Sequence, residues 1–384
     1  MIHIVHLFTC LGRGGAERAL ADIVAAMDRT RFRHTICYLT PPHDLKSDFS
    51  LAGCETVFLD VRKTRNWGEA AGKLVAQLER LKPDLVQSAT SDANITARLA
   101  ARRAGLPQLT WLVSMEFEPA AIRAAGWPPI RMEVRRYVER WTARRAETRW
   151  VACSGAVARS ARSRLGARPE RTELIYNAVG LSSIQAAPGE SDAVRAQLGL
   201  PPGAFTYLMV GRMDSAKAHG IALEAFASVA DEQPDAHFIL IGRGTLRGSL
   251  IERAAAAGLA ERTHFIESVE KIAPYLTAAD AFLFPSLLEG LPVAVLEAMS
   301  AGLPVIVSDL EPHVEVVEDG RTGLIVPRGD STSMAAKMRL LHADADLRYS
   351  IGTAARDEAV ARFSTTAIVP RWERLYERLA GENR

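Results

Sequence analysis

The sequence predicts an α/β protein built from two doubly wound parallel sheets, and three observations carry that reading. Short runs rich in Val, Ile, Leu and Phe alternate with longer segments whose apolar residues fall at helical spacing. Strands that alternate with helices form a parallel sheet covered on both faces. The alternation stops near residue 185 and then restarts, and 384 residues accommodate two domains at the usual size of about 150 residues each.

In the first half the strands are expected at 2–8, 35–39, 56–59, 85–88, 109–113 and 150–153, with helices at 16–27, 69–81 and 94–104 between them. Gly105-Leu-Pro107 closes the last of these helices with a glycine cap followed by proline. A Ser-, Ala-, Pro- and Gly-rich stretch at 179–203, interrupted by a short helical segment at 192–198, separates the halves. Strands then resume at 205–210, 236–241, 263–266, 281–284, 304–308 and 323–326. The expected domains are 1–185 and 186–363, each offering the C-terminal edge of its sheet to a shared cleft, where α/β proteins place ligands. The amphipathic stretch from Pro370 to Leu379 makes 364–384 a helix that packs back on the body.

Composition narrows the function classes. With 48% hydrophobic and 24% charged residues the chain is not disordered, and no apolar run approaches the roughly 20 residues that cross a bilayer. Residues 1–8 have no basic leader and run into a glycine loop, so they read as a strand rather than a secretion signal, and the expected location is the cytoplasm. Cys10, Cys37, Cys54 and Cys153 form no CxxC pair, which argues for four small buried side chains rather than a disulfide framework or zinc site. The net charge of +2 conceals an asymmetry: residues 1–180 hold 28 Lys and Arg against 18 Asp and Glu, leaving 19 against 27 for the rest. A basic half favours an anionic partner, or simply reflects an Arg-rich composition.

Three segments are candidates for chemistry. Gly12-Arg-Gly14-Gly15-Ala-Glu17 follows the first strand and opens a helix, where bare backbone and N–H groups can approach a phosphate, or where the chain merely turns. Glu17 occupies the third glycine position of a dinucleotide fingerprint, and no acid ends the strand at 35–39, so a nicotinamide cofactor is not expected. Arg212 and Lys217, after the first strand of the second half, suit a diphosphate whose leaving charge is neutralised without a metal; as a solvated pair of cations they would do nothing. Glu289-Gly290-Leu291-Pro292 precedes a helix that starts at Pro292 and is capped by Gly302. Glu289 falls in the loop and Glu297 about two turns into that helix, so two carboxylates flank amides at Gly290 and Leu291 that favour an anion. Sugar, diphosphate and ribose follow one another in that order in a sugar nucleotide.

Taken together, Glu-x7-Glu at 289–297, Gly-Arg…Lys-x-His at 211–219 and Gly-Gly-Ala-Glu at 14–17 resemble the GT-B retaining glycosyltransferases of family 4, in order and spacing, over nearly the whole chain. Ile175-Tyr-Asn177-Ala-Val179 and Asp319-Gly-Arg-Thr-Gly323 are similar to further motifs of that family. The resemblance implies two Rossmann-like domains facing a central cleft, the second binding a nucleotide-sugar donor and the first an acceptor. It assigns Glu297 to the ribose, Glu289 to the donor sugar, and Arg212 and Lys217 to the diphosphate. Gly14, Gly15, Gly290 and Leu291 would complete the cradle, and the base would lie near Arg243 and Val269. It further implies transfer with retention, no metal or other cofactor, a donor that is UDP- rather than GDP-linked, and an acceptor on a cell-surface glycan or lipid carrier of the polysaccharide or lipopolysaccharide kind. A sugar-nucleotide epimerase or phosphorylase of the same fold, or a silent sugar-nucleotide-binding scaffold, is the alternative. Two departures stand on the acceptor side: the relatives' His is missing from 111–116, where Glu116 reads as an exposed loop acid or as a substitute for that His, and Ser88-Ala89 replaces a Ser-His pair.

Residues 121–149 contain eight Arg and three Glu among Ile122, Trp127, Ile130, Met132, Val134, Tyr137, Val138 and Trp141. Helical spacing of Val134, Val138 and Trp141 points to core with Arg on the wet side; the other reading is a face for an anionic membrane. Nucleic acid is not expected, because no binding module accompanies the charge.

Overall fold

The computed structural model describes residues 1–124 and 126–382, so Ala125, in the Arg-rich segment, and Asn383 and Arg384, at the end of the helix expected over 364–384, lie outside the described residues. The chain divides into two units, Met1–Ala178 with the segment from Thr365, and Val179–Ser364. The joint falls at Ala178 rather than near 185, because Val179 already pairs with Ser364 and donates its N–H to Phe363 O at 2.8 Å.

The first unit holds seven strands: β1 (Ile2–Phe8), β2 (Phe32–Tyr38), β3 (Glu55–Phe58), β4 (Leu85–Ala89), β5 (Gln108–Leu112), β6 (Arg149–Ala152) and β7 (Thr172–Leu174), all parallel in the order β3-β2-β1-β4-β5-β6-β7. The second unit holds β8 (Phe205–Val210), β9 (Ala236–Ile241), β10 (Thr263–Ile266), β11 (Ala281–Phe284), β12 (Val305–Ser308) and β13 (Leu324–Val326), in the order β10-β9-β8-β11-β12-β13. Central strands such as Phe205–Val210 and Ala236–Ile241 are apolar along almost their whole length because helices cover both faces of the sheet. Each sheet reverses its winding direction once, between β1 and β4 in the first unit and between β8 and β11 in the second. Ligand crevices of open α/β sheets form at those two points, beyond the carboxyl ends of the strands.

The C-terminal helix runs over Thr365–Gly381, inside the expected 364–384. It buries Ile368, Trp372, Leu375, Tyr376 and Leu379, spaced three or four apart on one face. Trp372 meets Trp111 edge-on at 5.5 Å, Tyr376 Oη donates to Gln87 Oε1 at 2.6 Å, and Glu373 pairs with Arg31 at 3.1 Å. These contacts make it part of the first unit.

Helix Pro129–Arg145 departs from the core reading. Its buried residues are Met132, Glu139, Thr142 and Ala143, whereas Ile130, Val134, Tyr137 and Trp141 are 71%, 56%, 69% and 40% exposed. Glu139 can sit inside because the fully buried Arg98 bonds it, with Arg98 also donating to Thr110 Oγ1 at 3.0 Å and lying over the Trp150 ring. The cysteines are free, and three of them are buried; Cys10 is only half-buried.

Candidate functional site

The reversal point of the second sheet assembles from loops that follow neighbouring parallel strands. Because β8 and β11 are adjacent, the loop carrying Lys217 and the loop carrying Glu289 emerge side by side, although 72 positions separate them in sequence. Leu287 N donates to Ala216 O at 2.7 Å and locks the two loops together. Lys217 Nζ then bonds Glu289 Oε1 at 2.5 Å, and Ser286 Oγ donates to the same oxygen at 2.6 Å. The pair is largely shielded, with side-chain exposures of 18% and 8%, and the ammonium lies 5.1 Å above the centre of the Phe284 ring. Glu289 is therefore a paired acid.

Behind the pair, Ser308 Oγ donates to Ser286 O at 2.5 Å and meets His313 Nδ1 at 3.2 Å, so the end of β12 braces the loop. His313 is fully buried, and burial holds its imidazole below the ordinary histidine range, partly offset by the nearby Glu289. Neither Ser286 nor Ser308 carries a sequence signal for this role, since a serine in a loop is ordinary.

Arg212 is placed differently from Lys217. Its side chain is 78% exposed and pairs with Asp214 at 3.1 Å, while the Asp214 carboxylate also accepts from the N–H groups of Ala216 and Lys217 and shapes the turn. Arg243, in the loop after β9, bonds Ser268 Oγ at 3.1 Å and so lies against the segment that contains Val269. The loops after β8 and β9 touch backbone to backbone: Met213 N donates to Arg243 O at 2.8 Å, and a Cβ at Gly242 or Gly244 would overlap the carbonyls of Gly211 and Met213. Only glycine permits that approach.

The helix after Glu289 spans Val293–Ser300 with Pro292 as its N-cap, one position later than expected, and Gly302 follows the C-cap Ala301 with φ +82°. Gly290 and Leu291 are buried in the loop ahead of it. Glu297 is half-buried and is the fifth helical residue, a little over one turn in rather than two.

In the first unit, Gly14 is the N-cap of helix Gly15–Ala26, and the buried Glu17 folds back over the place where a Gly14 side chain would stand. A side chain at Gly14 would displace only the end of the flexible Glu17 side chain. Glu116 is half-buried rather than exposed, and burial pushes its carboxyl up to about 7.

Two doubly wound parallel sheets with loops of this kind at the second reversal point define the GT-B glycosyltransferase fold. The Glycosyl transferases group 1 family matches residues 190–358, and the Glycosyltransferase Family 4 description matches residues 13–183. The chain belongs to the group 1 glycosyltransferase family. It is 28% identical over 263 residues to the UDP-Gal:alpha-D-GlcNAc-diphosphoundecaprenol alpha-1,3-galactosyltransferase of Escherichia coli, covering 67% of this chain and 65% of that one. It is 31% identical over 210 residues to the phosphatidyl-myo-inositol mannosyltransferase of Mycobacterium leprae, covering 54% and 53% respectively. The matches span between 38% and 65% of the length of such curated relatives. Among solved structures, HepE of Anabaena, determined with UDP and glucose, superposes with a TM-score of 0.85 at 21% identity over 98% of this chain and all of that one.

Proposed function

We propose that the protein is a retaining, metal-independent glycosyltransferase that moves a sugar from a UDP-linked donor to a lipid-linked or cell-surface glycan acceptor. The observation that carries this reading is the shielded Lys217–Glu289–Ser286 cluster at the reversal point of the second sheet. Glu289 accepts hydroxyls of the donor sugar, Lys217 and Arg212 face the diphosphate, and Gly290 and Leu291 lead into the positive end of a helix. Glu297 holds the ribose, and Arg243 and Val269 flank the base. As the bond from the anomeric carbon to the diphosphate oxygen breaks, negative charge grows on the leaving oxygen beside the Lys217 ammonium, which Glu289 and the Phe284 ring hold in place. The acceptor hydroxyl forms the new bond on the same face, and its proton passes to the departing phosphate.

UDP is favoured because the Escherichia coli relative uses UDP-Gal and HepE was solved with UDP. Incubating the purified chain with UDP-glucose, UDP-galactose, UDP-GlcNAc and GDP-mannose in EDTA tests the reading. One UDP-sugar is expected to raise the melting temperature and release UDP when acceptor is supplied, undiminished by the chelator. No thermal shift with any of the four, or release that requires an added divalent ion, overturns it.

A lipid-linked acceptor is supported by the first unit. Trp127, Ile130, Val134, Tyr137 and Trp141 expose an apolar and aromatic face beside Arg131, Arg144 and Arg145, and a groove of about 420 Å³ lined by Trp67, Ile95, Leu99, Tyr137 and Trp141 opens there. Arg65 and Arg145 stack over Trp127 and Trp141 at 4.8 and 4.3 Å. Apolar rings beside arginines suit the boundary of an anionic bilayer, and among the described residues no helix is long and apolar enough to cross one. We place the protein on the cytoplasmic face of a membrane, as a peripheral enzyme. Flotation with vesicles of phosphatidylglycerol is expected to carry the protein at low salt, and Ile130→Asp with Trp141→Asp to abolish it. Wild type that stays at the bottom of the gradient at low salt removes the membrane from the reading.

A further inference from the structure

His313 carries no role in the proposed reaction, yet it is fully buried and lies within electrostatic reach of both Lys217 and Glu289. Its place follows from the sheet. β11 and β12 are neighbours in register, Phe284 against Val307, so the loop that leaves Phe284 for Ser286 and Glu289 runs beside Ser308 at the end of β12. The chain then turns into the short helix Glu311–Val314, with Pro312 in its first turn, and this brings His313 back onto Phe284 and Ser308.

The hydrogen bonds fix where the imidazole proton is. Nδ1 lies 2.9 Å from Ser308 O and 3.2 Å from Ser308 Oγ. A carbonyl oxygen can only accept, so Nδ1 is the protonated nitrogen of the neutral ring, and Nε2 is a bare lone pair with no partner among the described residues. Burial is the main reason that the ring stays neutral; Glu289, the Ser308 carbonyl and Asp309 favour the cation, and Lys217 opposes it. An N–H that faces Ser308 Oγ turns the hydroxyl proton away, toward Ser286 O at 2.5 Å. With the proton on Nε2 instead, Nδ1 would present a lone pair to both Ser308 oxygens. The carbonyl would be repelled, and the hydroxyl would turn to the ring and leave Ser286.

From Ser308 the chain of bonds continues to the site. Ser286, held by its carbonyl, donates its own hydroxyl to Glu289 Oε1 at 2.6 Å, the oxygen that Lys217 Nζ bonds at 2.5 Å. The ring reaches the other partner as well: the centres of the His313 and Phe284 rings lie 5.6 Å apart, and the same Phe284 ring carries the Lys217 ammonium at 5.1 Å. One neutral imidazole thus supports both ends of the ion pair without adding a charge that would compete for Glu289.

We propose that His313 is a positioning residue of the transferase: its Nδ1 proton sets the Ser308–Ser286 bond, and through it the direction of the Glu289 carboxylate toward the donor sugar. This inference rests on the transferase reading for what Glu289 holds. It also says which nitrogen matters. An asparagine amide stands as many bonds from the backbone as Nδ1, a glutamine amide as many as Nε2, and leucine has neither.

The test uses the full chain with isotope-labelled histidine, together with UDP-induced thermal shift and the release of UDP to water from UDP-glucose, UDP-galactose and UDP-GlcNAc. In the NMR spectrum at neutral pH, the His313 ring, identified by the signals lost in His313→Asn, is expected to carry its proton on Nδ1 and none on Nε2. Turnover is expected to fall at least about tenfold in His313→Leu and His313→Gln and to stay within about threefold of wild type in His313→Asn, with the UDP shift unchanged throughout. A merely structural residue would not sort this way, since Asn and Leu both lose the ring and both lower the melting temperature. Ser308→Ala, which keeps the ring and cuts the link to Ser286, is expected to match His313→Leu and decides the matter if that variant does not fold. A charged ring or a proton on Nε2 in wild type overturns the proposal. Wild-type turnover in His313→Leu or in Ser308→Ala, or a loss in His313→Asn as deep as in His313→Leu, overturns it as well. Failure of the donor reading looks different: wild type then shows no UDP shift, or binds UDP and releases none from any of the sugars, and the positioning role falls with it.

Discussion

Glu289→Ala is expected to lower turnover by about 10²–10³-fold while leaving the affinity for UDP within about twofold, since removing one group preorganised for the transition state has effects of that order. Both bonds that fix this carboxylate, from Ser286 and Lys217, fall on Oε1, which leaves Oε2 to take a hydroxyl of the sugar. In the proposed function the contact lies on the sugar side of the bond that breaks, so the free nucleotide is not expected to feel its loss. Glu297→Ala provides the contrast, because a residue on the nucleotide side raises the donor KM first. Calorimetry with UDP and an initial-rate assay separate the two. Equal turnover in wild type and Glu289→Ala removes Glu289 from the chemistry.

Much of the fold was legible because a strand buried on both faces is a nearly continuous apolar run, as at Phe205–Val210, Ala236–Ile241 and Ala281–Phe284, where expected and observed limits coincide. Legibility fails where burial is partial. β7 is three residues at the sheet edge with Glu173 in the middle, paired only to β6, and β2 begins at Phe32-Arg-His34, whose polar residues read as loop. Helix Pro129–Arg145 misled for a related reason. Its apolar spacing marks an exposed face, and its inner face includes Glu139, buried only because Arg98 comes from another helix. Glu289 and Lys217 were visible as acid and cation at strand ends, but their pairing depends on β8 and β11 being neighbours, which sequence order does not supply. Ser286 and Ser308 are invisible for the same reason: a hydrogen-bond partner is a property of the packed chain.

The two ends of one ion pair should give opposite signatures, and Lys217→Met carries the second large effect. Lys217 is shielded between Glu289 and the Phe284 ring, where a charge acts more strongly than in water. Its removal is expected to cost about 10²–10³-fold in turnover, comparable to Glu289→Ala, because it withdraws charge from the leaving diphosphate. Unlike Glu289→Ala, it also weakens UDP itself, so the UDP-induced thermal shift shrinks in Lys217→Met and persists in Glu289→Ala. Breaking a shielded pair also costs stability, about 3 kcal/mol by the usual measure, so the melting temperature without ligand falls too. Turnover is therefore compared at a temperature well below both transitions. The double variant tests the coupling: when two groups act as a unit, removing both costs little more than removing one. Losses that multiply in full in the double variant would show that the two groups act independently, and a Lys217→Met that retains the wild-type UDP shift would remove Lys217 from the diphosphate.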